Sequence, residues 1–199
     1  MVTDFLWHSL LYYDYQIRSR DASQKEMIMK MIMTLLLLAV MGFSAELKVD
    51  TKASSIAFEA TKMMFIGVDG NFSDFSGTID VDGDKVTAIN GTIKVLSINT
   101  DNTKRDDHLL SSDFFDEVKY KDIVFKSTKI EDDAVTADVT IHGITKPITF
   151  EMQKLSMGEN GVKIKLTAVV DRTEFGIDNN FMSMMIFDNI DVAATLVAK

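Results

Sequence analysis

From residue 46 onward, apolar and polar residues mostly alternate one for one. That period puts successive side chains on opposite faces of an extended chain and predicts strands with one buried face. Leu47 and Val49 open a short strand, and Ile56, Phe58 and Ala60 share one face of the next, 55–61. Residues 62–68 are apolar without clean alternation. Phe72 then has the opposite parity from Phe75, Ile79 and Val81. One residue must be absorbed between 73 and 77, by a β-bulge or a bend, or the buried face would flip.

Residues 86–100 read as one long strand, with Ile89, Gly91, Ile93 and Val95 on one face and Leu96 and Ile98 on the other. Asn90-Gly91 is a competing turn signal, but the alternation continues straight through it. Four more alternating runs follow: 123–130, Val135 to Ile141, Ile148 to Met152, and Val162 to Val170. Ile190, Val192, Ala194, Leu196 and Ala198 make the last strand. Turn signals stand at Asp82-Gly83, at 131–133, at His142-Gly143 and at 158–161, and 176–185 reads as a loop. Pro147, the only proline, falls at a strand beginning, where its missing N–H is tolerated. The pattern predicts an all-β fold of about eight antiparallel strands, as a barrel or a sandwich.

Residues 99–116 break the pattern. Asp101 or Thr103 can cap a helix start, and 104–112 contains no Gly, Pro or β-branched residue. One short helix of about two to three turns is expected there. It carries Arg105, Asp106, Asp107 and His108, followed by Phe114-Phe115. Either it closes the end of a barrel or it is a catalytic segment.

The N-terminal part has a different character. Residues 31–43 are an uncharged apolar run preceded by Lys30. As a helix the run rises only about 20 Å, short of a bilayer core of about 30 Å. A signal peptide over 27–45, cut after Ser44 or Ala45, fits better than an anchor. The acidic residues Asp4, Asp14, Asp21 and Glu26 do not belong in such a leader. Residues 1–26 are therefore read as a non-native or disordered extension, and 46–199 as the mature domain. Removing 1–45 takes away four basic and four acidic residues and leaves the net charge at −9.

That acidity repels phosphate backbones, so nucleic acid is not an expected partner. With no cysteine there is no disulfide, thiolate metal site or thiol nucleophile. His108 and His142 are the only histidines after residue 45, and the i, i+2 spacing of Asp106 and His108 makes no chelate on a helix. Asp80-Val-Asp-Gly-Asp84 has its glycine misplaced for a calcium loop. No nucleophile elbow, P-loop or dinucleotide fingerprint is present. No metal and no catalytic residue is expected. Arg172 is the sharpest single feature, because the parity of 162–170 carries it onto the apolar face. A buried arginine must pair with a carboxylate and carbonyls or meet a polar ligand group. Eleven Phe and seven Met after residue 45 suit an adaptable apolar cavity, and equally an ordinary core.

Three strings in order resemble the YceI-like family of polyisoprenoid-binding proteins. They are Ile98-Asn-Thr-Asp-Asn-Thr-Lys-Arg-Asp-Asp-His-Leu109 with Asp113-Phe-Phe-Asp116, Val139-Thr-Ile-His-Gly-Ile-Thr-Lys-Pro147, and Val170-Asp-Arg-Thr-Glu-Phe-Gly-Ile177. Ser55-Ile-Ala-Phe58 and the segment 70–77 fit in order as well. The resemblance covers about 46–198. It implies an extended eight-stranded antiparallel lipocalin-like β-barrel with a short helical insert. It also implies a non-enzymatic periplasmic or secreted protein, often a dimer, holding a polyisoprenoid or other long-chain amphiphile without a cofactor. Membrane contact would be transient, for ligand exchange. Lys62-Met63 stands where many members have His before Met, so a head-group contact would differ here.

Parity and motif membership together assign Phe58, Phe72, Phe75, Ile93, Phe114, Phe115, Phe125, Val170 and Phe175 to the ligand-binding wall. Arg105, His108 and Arg172 are placed near polar ligand groups. The alternatives are an enzyme or stress factor using His108, Asp107 and Arg172 on a small amphiphile, and a structural barrel with a filled interior.

Overall fold

The computed structural model describes residues 24–27, 29–30, 44–62, 66–131, 133–158, 161–177 and 186–199. The apolar run 31–43, Met63, and the loop residues 178–185 lie outside these. The chain forms two units, 1–43 and 44–199. In the first, 24–27 and 29–30 are helical, with Lys30 Nζ 3.6 Å from Glu26. No described helix is long and apolar enough to cross a membrane.

In the second unit the alternating runs become strands β1 (Ser44–Lys48), β2 (Ser55–Lys62), β3 (Ile66–Phe72), β4 (Phe75–Asp82), β5 (Lys85–Lys94) and β6 (Ile98–Asn99). After helix α1 (Thr103–Leu110) come β7 (Asp122–Glu131), β8 (Ala134–Ile141), β9 (Ile144–Gly158), β10 (Gly161–Asp171) and β11 (Ile186–Ala198). All pairings are antiparallel, in the order β1-β4-β5-β7-β8-β9-β10-β11-β2-β3-β6.

Eleven segments replace the eight expected strands because three strand lines are interrupted. β3 and β4 are one line broken at Ser73-Asp74, and β5 and β6 are one line broken by a 3-10 turn at Val95–Ser97. β1 and β2 lie end to end on a third, since Val49 bridges Ala198 of β11 and donates its N–H to Gly77 of β4 at 3.0 Å. The ends of the strand order are thus tied back, and the sheet curls onto itself as a barrel on eight lines.

The break at 73–74 is the expected parity correction: Phe72 and Phe75, three apart, are both buried. The second break corrects the long strand expected over 86–100. Inside the 3-10 turn Val95 is buried while Leu96 is 64% exposed, and Ile98 returns to the core opposite Phe72. A straight strand would have sent Ile98 to the face opposite Val95. Asn90-Gly91 is strand, as the alternation required. Pro147 lies inside β9 and not at its beginning. It is tolerated there because β10 pairs with β9 only from Glu151 onward, leaving one flank open at the proline.

The β8–β9 turn is built by His142 and Gly143, with φ of 52° and 75°. Two successive positive φ values give the tight turn that matches strand twist. The Tyr120 ring lies where a Cβ on Gly143 would be, 2.4 Å away, and packs edge-on against His142 at 4.6 Å.

Helix α1 is capped by Asn102, whose side chain accepts from Arg105 N at 3.1 Å, and not by the expected Asp101 or Thr103. Asp101 takes a φ of 57° and so turns the chain into the cap. Buried Thr100 then pins the helix. Its N–H and hydroxyl donate to Asp106 Oδ1 at 3.0 and 2.5 Å. Arg105 Nε donates to the Thr100 hydroxyl at 2.7 Å, and Nη2 to the Thr100 carbonyl at 2.5 Å. Replacing Thr100 with Val strips both half-buried charged groups of a partner. The cost expected in chemical denaturation is about 1–3 kcal/mol, whereas Asp107→Ala, at an exposed helix position, should change stability by less than about 0.5 kcal/mol.

Candidate functional site: an apolar cavity inside the sheet

Inward-facing side chains of the curled sheet, with the segment after α1, enclose a cavity of about 250 Å³ whose wall is almost wholly apolar. Its size lies just below the usual range of small-molecule sites, roughly 300–1,000 Å³. β2 and β3 supply Phe58 and Phe72, with ring centroids 5.6 Å apart. β4 and β5 supply Phe75 and Ile93, which are register partners. β7 contributes Phe125, edge-on to Phe150 of β9 at 5.2 Å.

The helical insert closes a second apolar cluster. Phe114, Val170, Phe175 and Ile177 are buried together, with Leu109 and Phe115 packed against them. Chain reversal after α1 directs these rings: Phe115 N–H donates to the Leu109 carbonyl and Phe114 N–H to that of Ser111. Nine assigned wall residues, Phe58, Phe72, Phe75, Ile93, Phe114, Phe115, Phe125, Val170 and Phe175, all line the cavity. The sequence reading missed Leu109, Ile141, Phe150, Ile177, Ile190 and Val192, which also line it. Strand parity already placed Phe150, Ile190 and Val192 on buried faces. Leu109 had no such signal, since α1 buries none of its residues fully.

The three polar assignments divide. Arg172 lines the cavity and is 8% exposed. Its Nη1 donates to the Ile177 carbonyl, and Nη2 lies 2.9 Å from Asp188, whose side chain is 63% exposed. One guanidinium therefore serves as structural clasp and as the only ionisable group among the described lining residues. Its carboxylate partner is at the surface, so the charge is not buried on both sides. Arg105 and His108, by contrast, are not among the lining residues. Arg105 is spent on Thr100. His108 Nε2 is 3.7 Å from Asp113, and its ring meets Phe114 edge-on at 5.0 Å. Arg105, next to the cap, turns back onto Thr100; His108, in the last turn, meets the segment that follows the helix, and Leu109 is the α1 residue that lines the cavity.

His142 holds the other side of this end of the sheet, with Nδ1 3.2 Å from the Phe175 carbonyl oxygen. Among the described residues no group of three or more His, Asp or Glu is placed to hold a metal. A second, open groove of about 660 Å³ involves outward residues of β9, β10, β11, β2 and β3, including Glu59, Asp69, Glu151 and Asp191. Its carboxylates suit water and not an apolar chain.

The YceI-like domain family matches residues 47–198. The chain belongs to this family. A UPF0312 protein of Vibrio parahaemolyticus is 34% identical over 126 residues, 59% of this chain and 67% of that protein. Protein YceI of Escherichia coli O6:H1 is 35% identical over 126 residues, 59% of this chain and 65% of the relative. The match thus spans about two thirds of the length of these curated relatives. Among solved structures, BcnA of Burkholderia cenocepacia shares the fold at TM-score 0.68 and 22% identity, over 76% of this chain and 99% of that one. A polyisoprenoid binding domain from Saccharophagus degradans aligns at TM-score 0.65 and 15% identity, over 78% and 98%. YceI of Campylobacter jejuni aligns at TM-score 0.59 and 27% identity, over 69% and 88%. The lipocalin-like antiparallel barrel with a helical insert is therefore the fold of this chain.

Arg172 is presented by a 3-10 turn, Arg172–Phe175, that Asp171 caps. The Asp171 carboxylate accepts from the Thr173 hydroxyl at 2.6 Å and from its N–H at 2.9 Å. The hydroxyl bond, then the Thr173 amide and the Arg172 charge, hold the carboxyl below its ordinary value; partial burial acts the other way. A lowered folded-state pKa gives stability that is complete above the unfolded value, about 3.9, and lost as pH falls through the folded one. Thr173→Val should lower the melting temperature at neutral pH. The gap to wild type should narrow once the pH drops below about 4, as Asp171 protonates in both, in a pH series of thermal melts.

Proposed function

We propose that this protein is a non-catalytic binding protein that holds a polyisoprenoid or similar long-chain amphiphile in its barrel, for transport, storage or sequestration. The observation that carries this is the wall: about 250 Å³ lined mainly by apolar side chains, with Arg172 the one ionisable group among the described lining residues. An apolar wall offers a tail no hydrogen bonds. Affinity then comes from tail area leaving water, at about 25 cal/mol per Å², and Arg172 orients the head. The Saccharophagus domain, named as polyisoprenoid binding, has the same fold and supports the same ligand class.

Export to the periplasm through residues 27–45, assembly as a homodimer and brief membrane contact during ligand exchange belong to this proposal. Arg105 and His108 are not part of the ligand contact in it, because both are committed elsewhere.

The test is to purify the full chain from its native host, extract it with organic solvent and analyse the extract by lipid mass spectrometry. A long-chain amphiphile near one per chain is expected. Protein that carries none, and that takes up neither isoprenoid quinones nor prenyl alcohols afterwards, would sink the reading. N-terminal mass analysis of the same sample should show a chain beginning at Ala45 or Glu46.

A further inference from the structure

Glycine inside a strand weakens it, because it adds no packing and loses the most freedom on folding. Three glycines nonetheless lie on the inward face of this sheet or against its cavity, and two have a local reason. At Gly70 the Phe58 ring occupies the side-chain space: a Cβ would meet it at 2.2 Å. At Gly77 a Cβ would strike the Asn90 carbonyl oxygen at 2.5 Å.

Gly91 has neither reason. It sits in the middle of β5 without a positive φ, so its backbone conformation is open to any residue. Within 4 Å of its missing Cβ there is only the Ser76 carbonyl oxygen, at an ordinary 3.4 Å. The strand would accept alanine, and no neighbour has filled the space.

The space opens onto the cavity. Gly91 shares its face with Ile89 and Ile93, and all three line the cavity. Its register partners on that face are Gly77 on one side and Phe125 on the other, both lining residues. The Phe125 ring does not reach into the gap. Gly91, beside a Gly77 whose own side-chain space is taken by the Asn90 carbonyl and Val49, therefore leaves a patch of bare backbone in a largely apolar wall.

We infer that Gly91 is a specificity-determining residue, keeping a recess in the cavity wall that admits the side branches of a methyl-branched tail. An unbranched chain is a narrow cylinder and does not need the recess. A polyisoprenoid carries methyl groups at intervals and is wider wherever one projects. The inference rests on the lipid-binding reading above and deepens it, choosing branched over straight tails.

The test measures binding of geranylgeraniol and hexadecanol to the full chain, wild type and Gly91→Ala, by titration calorimetry, with a thermal melt of each protein. The two alcohols have the same head and backbones of equal length, and only the first is branched. Wild type should bind both. In the variant, geranylgeraniol should weaken about ten-fold or more, the usual effect of one misplaced methyl in an apolar pocket. Hexadecanol should change less than about two-fold, and the melting temperature should hold or rise, since alanine restricts the unfolded chain. Equal weakening of both alcohols, or of neither, overturns the assignment while leaving the lipid-binding reading intact. A wild type that binds neither overturns that reading and the assignment with it. Gly91→Ser, whose hydroxyl can reach the Ser76 carbonyl, gives the same comparison should the alanine variant not fold.

Discussion

The structure depends on how a single antiparallel sheet is joined back to itself. An open sheet has two edges of unpaired N–H and C=O groups, and only closure removes them. Here closure is made at two irregular places. Val49 stands between β4 and β11, with Lys48 and Lys199 exchanging backbone hydrogen bonds beside it at 3.0 and 3.1 Å. The break at Ser73-Asp74 is matched by the 3-10 turn at 95–97, across which Ser73 N–H donates to Ser97 O and Lys94 N–H to Asp74 O. Both are local failures of strand geometry, and both keep the curvature that gives the sheet an inside. Without them the inward Phe and Ile residues would form one face of an open sheet.

Curvature alone would leave an apolar interior open to water at the ends. The helical segment answers this at one end, although six of the eight residues of α1, Thr103–Leu110, are polar or charged. α1 buries no residue fully, and of its own side chains only Leu109 and Leu110 pack, partly buried, against the apolar core. Its attachment is polar at one end, through Thr100, Arg105 and Asp106, and aromatic at the other, through Phe114. The polar clasp fixes where the helix starts; the rings that follow fill the space between β10 and the turn carrying Arg172. A helix with a wider apolar face would have filled the cavity it covers.

The strands were legible because period-two alternation survives wherever one face is buried. The need for a break near 73 was legible too, since Phe72 and Phe75 cannot otherwise share a face. The 3-10 turn at 95–97 was not: Val95, Leu96 and Ile98 read as continued alternation, and only closure onto β3 shows why Ile98 must return inward. The aromatic wall could be read from parity and motif order. The roles of Arg105 and His108 could not, because each has a local partner that periodicity does not register: Thr100 beside the N-cap for Arg105, and Asp113 with Phe114 just past the helix for His108. Arg172 was visible as a conflict between residue type and face. Its resolution, a carbonyl at Ile177 and a surface carboxylate at Asp188, lies across a connection that carries no pattern.

An interior whose described lining holds one ionisable group selects ligands differently from a polar site. Apolar burial is non-directional and scales with area, so it cannot by itself tell one hydrocarbon from another of equal surface. A hydrogen-bonding site discriminates by leaving its own groups unpaired when the wrong ligand enters, and this wall has almost no groups to leave unpaired. What remains is shape, which in a closed sheet is set by side-chain size at inward positions of strands whose backbone is fixed by neighbours on both sides. In the proposed lipid-binding role Arg172, already held by Ile177 and Asp188, would orient a head but add little to the choice of tail. Discrimination among tails therefore falls to inward positions where the side chain could have been larger and is not.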